Sequence, residues 1–188
     1  MNTGSAPRKV IAIIQARLGS TRLPRKMLMQ INGVPIIEWV CNRVRRSQGL
    51  DAAIAAIPVG SIDDDLEEYL HTIAMPVYRG SEDDVVERFY QAAIQQEATH
   101  IVRVCADNPF IDPHAIDALI NAYFSTPCDY AYNHIPRKNL WPDGLGAEIV
   151  STDLLRDIHT HAVDPSEREH IFNYIWNNAP QYRIKTFD

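Results

Sequence analysis

Five consecutive apolar residues, Val10-Ile11-Ala12-Ile13-Ile14, run straight into a loop, Gln15 to Lys26, that carries four cations and no acid. A short apolar run without alternation, rich in β-branched residues, is the pattern of a strand buried on both faces, as in a parallel sheet. The loop supplies Arg17, Arg22, Arg25 and Lys26, with Gly19 to allow unusual backbone angles and Ser20 and Thr21 to offer hydroxyls and amides. A basic, glycine-containing loop at the carboxyl end of a parallel strand is where α/β proteins bind phosphates. Two common phosphate patterns are excluded. Gly19 to Lys26 lacks the second Gly and the hydroxyl after Lys that a P-loop requires, and no Gly-x-Gly-x-x-Gly occurs. A solvated basic loop without a ligand is the plainer alternative.

The rest of the chain alternates helices and strands. An amphipathic helix is expected over Ile36 to Ser47, with Ile36, Ile37, Val40, Cys41 and Val44 at helical spacing. Strands are expected at Ala52 to Ile57, Met75 to Tyr78, His100 to Val104, Tyr130 to Tyr132, Glu148 to Val150 and Tyr182 to Phe187. Further helices begin at Ser61, after Ser81-Glu82-Asp83-Asp84, at Pro113, at Ser151 and near Pro165. This pattern predicts a single-domain α/β fold with a mainly parallel mixed sheet and helices on both faces. Asn133 to Ala147 alone lacks periodicity for long, and loops of that length are often functional.

At 188 residues the chain suits one domain with one good core. No apolar stretch approaches a membrane span. Met1 to Lys9 is short and polar and reads as a frayed tail ahead of a cytoplasmic domain. Cys41, Cys105 and Cys128 are scattered in apolar contexts, as buried free thiols rather than a metal or disulfide set. The net charge of −6 argues against a general nucleic-acid binder. Its distribution says more. Residues 1–46 hold nine of the 18 Lys and Arg and one acid, Glu38, whereas residues 47–94 hold ten acids with only Arg79 and Arg88. A local positive field around the loop can then attract a polyphosphate.

Asp107 follows the His100 to Val104 strand, and Asn108-Pro109 turns the chain away, leaving the carboxylate at the sheet edge where the basic loop lies. A lone carboxylate near a phosphate loop suits Mg²⁺, which keeps waters and phosphate oxygens as ligands. The alternative is a turn Asp capping the helix after Pro113. Ser81 can be a helix cap and Arg88 an ion-pair partner of Asp84 or Glu87. Asp143 and Glu148, beside glycines, can line a sugar pocket. Arg168 and His170 can bind an anionic sugar or be solvated charges of a capped helix. No Ser-His-Asp or Cys-His spacing is legible, so no covalent intermediate is expected.

Ala16-Arg17-x-Gly19-Ser20-x-Arg22-Leu23-Pro24-x-Lys26 resembles the N-terminal signature of the sugar cytidylyltransferases. These include the CMP-Kdo and CMP-acylneuraminate synthetases and the spore coat polysaccharide biosynthesis protein F group. The resemblance runs over nearly the whole chain. Val104-Cys105-Ala106-Asp107-Asn108-Pro109 resembles the family's strand-then-Gly-Asp-x-Pro segment, which implies a metal role for Asp107 and nucleotide contacts at Cys105 and Ala106. Gly80 to Tyr90 resembles the segment flanking cytosine and ribose, which implies nucleotide contacts for Ser81 and Arg88. Pro142 to Glu148 resembles Pro-x-Gly-x-Asp-x-Glu, except that Gly146 stands where relatives commonly have Asp. Glu167-Arg168-Glu169-His170 resembles an Arg-Glu-His segment near the acceptor.

The resemblance implies the Rossmann-like fold of nucleotide-diphospho-sugar transferases, a homodimer, Mg²⁺ and CTP. The expected reaction is attack of a sugar or sugar-acid oxygen on the α-phosphate, in which positioning and charge neutralisation do more than a protein nucleophile. Arg17, Arg22, Lys26 and the loop amides would hold the phosphates. A non-catalytic nucleotide-sugar binding module and a nucleotide-sugar-dependent glycosyltransferase are the competing classes; the latter usually shows an Asp-x-Asp pair, and Asp107 has no such partner. The chain stops within an expected strand, and family members typically continue past the equivalent of Asp188 with a further site acid. A missing C-terminal segment and slow turnover are therefore expected.

Overall fold

The computed structural model describes residues 7–188, so most of the polar N-terminal tail lies outside the described residues. In chain order the strands and helices are β1 (Val10–Gln15), β2 (Gln30–Ile31), β3 (Val34–Pro35), α1 (Ile36–Val44), β4 (Ala52–Pro58), α2 (Asp64–Thr72), β5 (Val77–Gly80), α3 (Val85–Gln95) and β6 (His100–Cys105). There follow α4 (Pro113–Ser125), β7 (Tyr130–Tyr132), β8 (Glu148–Ser151), α5 (Thr152–His161), α6 (Pro165–Glu169), α7 (Asn173–Asn177) and β9 (Ile184–Lys185). Seven strands form one sheet in the order β5-β4-β1-β6-β8-β7-β9. Among them β8 alone runs opposite to its neighbours, pairing antiparallel with β6 and β7. The expected α/β class and mainly parallel mixed sheet are observed.

β1 lies inside the sheet, parallel to β4 on one side and β6 on the other. Its alternating side chains divide between two cores. Val10, Ala12 and Ile14 join the side chains of α1, α2 and α4, while Ile11 and Ile13 join those of α3, α5 and α7. All five are fully buried, which is why the run is apolar throughout. α1 buries Ile37, Val40, Cys41 and Val44, a helical stripe in which each large apolar side chain contributes roughly 1.5–3 kcal/mol before its ordering entropy.

β1 leads through α1 to β4, and β5 leads back through α3 to β6, so the chain departs in opposite directions from adjacent strands. The carboxyl ends of β1 and β6 stand side by side, Gln15 opposite Cys105. Such a switch point opens a crevice between the loops that leave it.

Several boundaries differ from the sequence pattern, each for a local reason. β5 begins at Val77 because Pro76 has no N–H for the ladder; Pro76 contributes only its carbonyl, to Ala55. α1 ends early, and Arg45 turns its guanidinium to the carbonyls of Ile73 and Ala74 at 3.0 and 2.7 Å. Asn32 and Gly33 (φ 51° and 79°) close a small β2–β3 hairpin of the Asn-Gly kind. The helix expected from Pro165 breaks after Glu169, and the break carries both Ile171 and Phe172 into the core. The Tyr182 to Phe187 strand is reduced to β9. Cys41 is buried, and burial pushes its thiol up to about 12; Cys105 and Cys128 are half-buried. No helix among the described residues is long and apolar enough to cross a membrane.

Gly146 has a structural reason for lacking a side chain. A Cβ there would collide with the backbone carbonyl and the side-chain oxygen of Asn133. Asn133 is fully buried and cannot yield, because it bonds Ala147 N and Ala115 O, both at 2.8 Å. Gly146→Ala is expected to lower unfolding stability by about 2 kcal/mol through overpacking, measured by urea denaturation; an unchanged midpoint would mean that this loop is not packed as described.

Candidate active site

The basic loop is built over one buried residue. Leu18 is fully buried, and its N–H donates to Asp63 Oδ1 at 2.6 Å. Asp63, in the turn after β4, is itself buried, and burial pushes its carboxyl up against the opposing pull of that amide. The Leu18 carbonyl accepts from Ser20 N at 2.8 Å and from Arg25 N at 3.0 Å, so the chain folds back on itself. The left-handed residue of the turn is Arg25 (φ 59°), not Gly19. Gly19 sits beside the Glu82 carboxylate.

This fold-back turns Arg17, Ser20, Thr21, Arg22 and Lys26 toward a cleft of about 320 Å³. Gln15, Ala16 and Met27 from the same segment also line it, as do Arg88, Arg103, Cys105, Asp107 and His170. The acids missing from the loop's sequence arrive from elsewhere. Lys26 Nζ lies 3.0 Å from Asp107 Oδ2, Arg17 lies 3.6 Å from Glu82, and Arg25 lies 2.6 Å from Asp65. Arg22 makes no ion pair among the described residues. Exposed pairs of this kind add little to stability, so these charges remain available to a ligand.

Asp107 does not cap α4. Asp112 does, accepting from His114 N at 2.9 Å. Asp107 instead stands exposed at the cleft rim. Ser81 is not the cap of α3 either; Asp84 holds that place through Glu87 N, and Ser81 Oγ accepts from Asp84 N at 3.0 Å. Ser81 is absent from the cleft lining, but its carbonyl accepts from Arg88 Nη1.

Arg88 pairs with neither Asp84 nor Glu87, because those acids serve Arg168 and His159. It is 1% exposed, reaches the cleft, and leaves its Nε without a partner. Burial, with Arg17 adding to it, pushes its pKa down to about 10, so it stays cationic at neutral pH.

Arg168 is corrected as an acceptor ligand. Its Nη2 and Nε bond Asp84, and its Nη1 bonds the His159 carbonyl at 2.7 Å, so it ties α6 to α3 and α5. Ala106 is buried and gives its N–H to the Gln15 carbonyl at 3.1 Å. Burial raises the Cys105 thiol, which leaves it a wall rather than a nucleophile.

Sequence reasoning passed over Arg103, although one Arg inside Ile-Val-Arg-Val is a buried charge that must have a partner. It stands opposite Glu148 in the β6–β8 register, and its Nη1 bonds Glu148 Oε2. Its Nε bonds Gln15 Oε1 at 3.1 Å. Glu148 is 3% exposed, and its other oxygen accepts from the Tyr130 hydroxyl. Glu148 is therefore held by two partners inside the protein rather than free. Burial, the largest influence, would raise its carboxyl, but Arg103, His134 and the Tyr130 hydroxyl together outweigh it and hold it below the usual range.

Glu148 and Arg103 form one wall of a second cleft, of about 230 Å³, with His134, His170, Phe172, Asn173 and Trp176. A third, of about 420 Å³, lies on the other side of Asp107, against Asp143 and Gly144. No group of three or more His, Cys, Asp or Glu suited to a metal occurs among the described residues. Mg²⁺ needs none: one or two carboxylates plus substrate phosphates suffice, and Asp107, with Asp143 along the neighbouring cleft, fits that requirement.

Residues 11–179 match the family model described as Cytidylyltransferase. The chain belongs to the cytidylyltransferase family. It is 34% identical over 181 residues to the spore coat polysaccharide biosynthesis protein SpsF of Bacillus subtilis (strain 168), covering 94% of this chain and 73% of that one. A cytidylyltransferase structure from Leptospira borgpetersenii serovar Hardjo-bovis (strain JB197) superposes with a TM-score of 0.88 at 28% identity, over 96% of this chain and 76% of that one. The structure of CMP:2-keto-3-deoxy-manno-octonic acid synthetase complexed with CTP shares the fold, with a TM-score of 0.72 at 19% identity over 95% and 89% of the two chains.

The cytidylyltransferase fold thus brings together Ala16, Arg17, Ser20, Arg22, Lys26, Arg88, Cys105, Asp107 and His170 around one cleft. Gly19, Ser81 and Ala106 are not part of its lining, and Asp143 and Glu148 belong to the flanking clefts.

Glu148 and His134 both bind a proton less readily in the folded chain: Glu148 because Arg103, His134 and the Tyr130 hydroxyl together overcome a burial that would raise it, and His134 because burial, with Arg103, overcomes the pull of Glu148. Protons therefore favour the unfolded chain. The melting temperature should fall as pH drops below His134's ordinary 6.5, and again below Glu148's ordinary 4.5. Glu148→Gln, which leaves Arg103 unpaired, is expected to cost about 3 kcal/mol and to shrink the lower step to what Asp129, held low by Arg183, still contributes, as followed by calorimetry from pH 8 to 3.

Proposed function

We propose that this cytidylyltransferase transfers CMP from CTP to a hydroxyl of a sugar or sugar acid with release of pyrophosphate, in surface polysaccharide biosynthesis. The observation that carries the reading is the convergence of Arg17, Arg22 and Lys26 on one cleft with Asp107 facing them, at the paired ends of β1 and β6. The names of the Bacillus relative and of the octonic acid synthetase support a polysaccharide setting and a sugar-acid acceptor. A cytoplasmic homodimer belongs to the same reading and rests on the family resemblance.

Arg22, Lys26 and the loop amides hold the β- and γ-phosphates and bear the charge that grows as pyrophosphate leaves. Arg88 and the wall around Ala16 and Cys105 adjoin the nucleoside. Asp107, with Asp143 near it, would hold Mg²⁺, which neutralises phosphate charge when bound. The Lys26–Asp107 pair keeps both groups poised at the cleft before ligand arrives. The flanking cleft of His134, His170, Asn173, Phe172 and Trp176 offers hydrogen-bonding groups against aromatic faces, a lining that suits a sugar.

Arg22→Ala should weaken CTP binding by about 1.5–3 kcal/mol without a change in melting temperature, since it removes a charge-assisted phosphate contact and no structural pair. Calorimetry with CTP decides; unchanged affinity removes the loop from the site. Asp107→Asn should keep thermal stability and abolish Mg²⁺-dependent pyrophosphate release in a panel of NTPs, sugars and sugar acids. A variant that melts far lower would make Asp107 structural.

A further inference from the structure

Two clefts meet at Arg103. It lines the nucleotide cleft together with the basic loop, and it lines the aromatic cleft together with His134 and Trp176. His170 is the other residue common to both, and it is exposed on the break between α6 and α7. Arg103 by contrast is fixed. It projects from the central strand β6, with Nε on Gln15 and Nη1 on Glu148. Its Nη2 makes no hydrogen bond among the described residues, and it is not among the buried polar atoms that lack a partner. Glu148 holds Arg103 charged, and the Tyr130 hydroxyl steadies Glu148 from behind.

Transfer imposes a geometric condition. The acceptor oxygen must form its bond to the α-phosphorus while the bond from that phosphorus to the bridging oxygen breaks. Pyrophosphate leaves with the electron pair, and the hydroxyl proton passes to water. The α-phosphate must therefore lie where the nucleotide cleft opens onto the acceptor cleft. The rigid cation at that junction is Arg103. We propose that Arg103 is a catalytic residue that binds the α-phosphate oxygens through its unpaired Nη2 and bears the charge of the phosphoryl group in flight. Gln15 and Glu148 are its positioning residues, and the buried ion pair serves aim rather than stability. This rests on the cytidylyl-transfer reading and on the aromatic cleft as the acceptor side.

The test separates the α-phosphate from the other two by using CMP and CTP as probes on the full chain. Two variants are compared with wild type. Arg103→Lys keeps a charge against Glu148 but gives up the planar fork. The paired Arg103→Met/Glu148→Gln removes both charges without leaving either buried alone. Calorimetry should show CMP and CTP affinity falling by a similar factor, about tenfold or more in the paired variant and less in the Lys variant. The ³¹P resonance of bound CMP should shift between wild type and variants. Arg22→Ala should behave oppositely, losing CTP affinity while holding CMP. Melting curves identify which of the two variants is folded. A folded variant that binds CMP as wild type does, with the same ³¹P resonance, overturns the proposal and leaves Arg103 as a strut between β6 and β8. Wild type binding neither nucleotide would overturn the nucleotide reading itself, a pattern distinct from any loss confined to Arg103 variants.

Discussion

The structure depends on the complete burial of β1. A strand with no exposed apolar residue must have a neighbour on each edge and helices on each face, and this chain supplies β4, β6 and two helical layers. That burial gives the loop after β1 a rigid base. Leu18 extends the core beyond the strand end, and the backbone that folds over it carries the cations. The basic loop owes its shape to one buried leucine and one buried aspartate, not to glycine.

Charge is distributed by depth. At the rim, Arg17, Lys26 and Asp107 form exposed pairs that a ligand can exchange at small cost. Beneath them Arg88 has only backbone carbonyls, and Arg103 has a carboxylate with its own hydroxyl partner. Buried cations of this kind are costly to assemble and costly to leave half-paired. Their presence under a cleft, rather than in the middle of a core, fits the handling of anions.

The departures from the sequence pattern share an origin. Arg168 and Glu148 read as sugar-binding residues because each stands in a segment that resembles one of the family's. In the fold, Asp84 and Arg103 reach them first. Both partners are distant in sequence, and no local pattern announces them. Asp112 took the capping role open to Asp107 because it immediately precedes Pro113, and that frees Asp107 for the rim.

The sequence by itself determined the class of fold, the position of the basic loop and the family, because each rests on local pattern: an unbroken apolar run, its cations and a long signature. The strand register was decided only in three dimensions. Gln15 comes to face Cys105 and Arg103 to face Glu148 through hydrogen bonds between segments tens of residues apart. That register selects which charges are spent inside the protein and which are left for a substrate. Electrostatic partners depend on distance in space, which tertiary packing sets and sequence spacing does not.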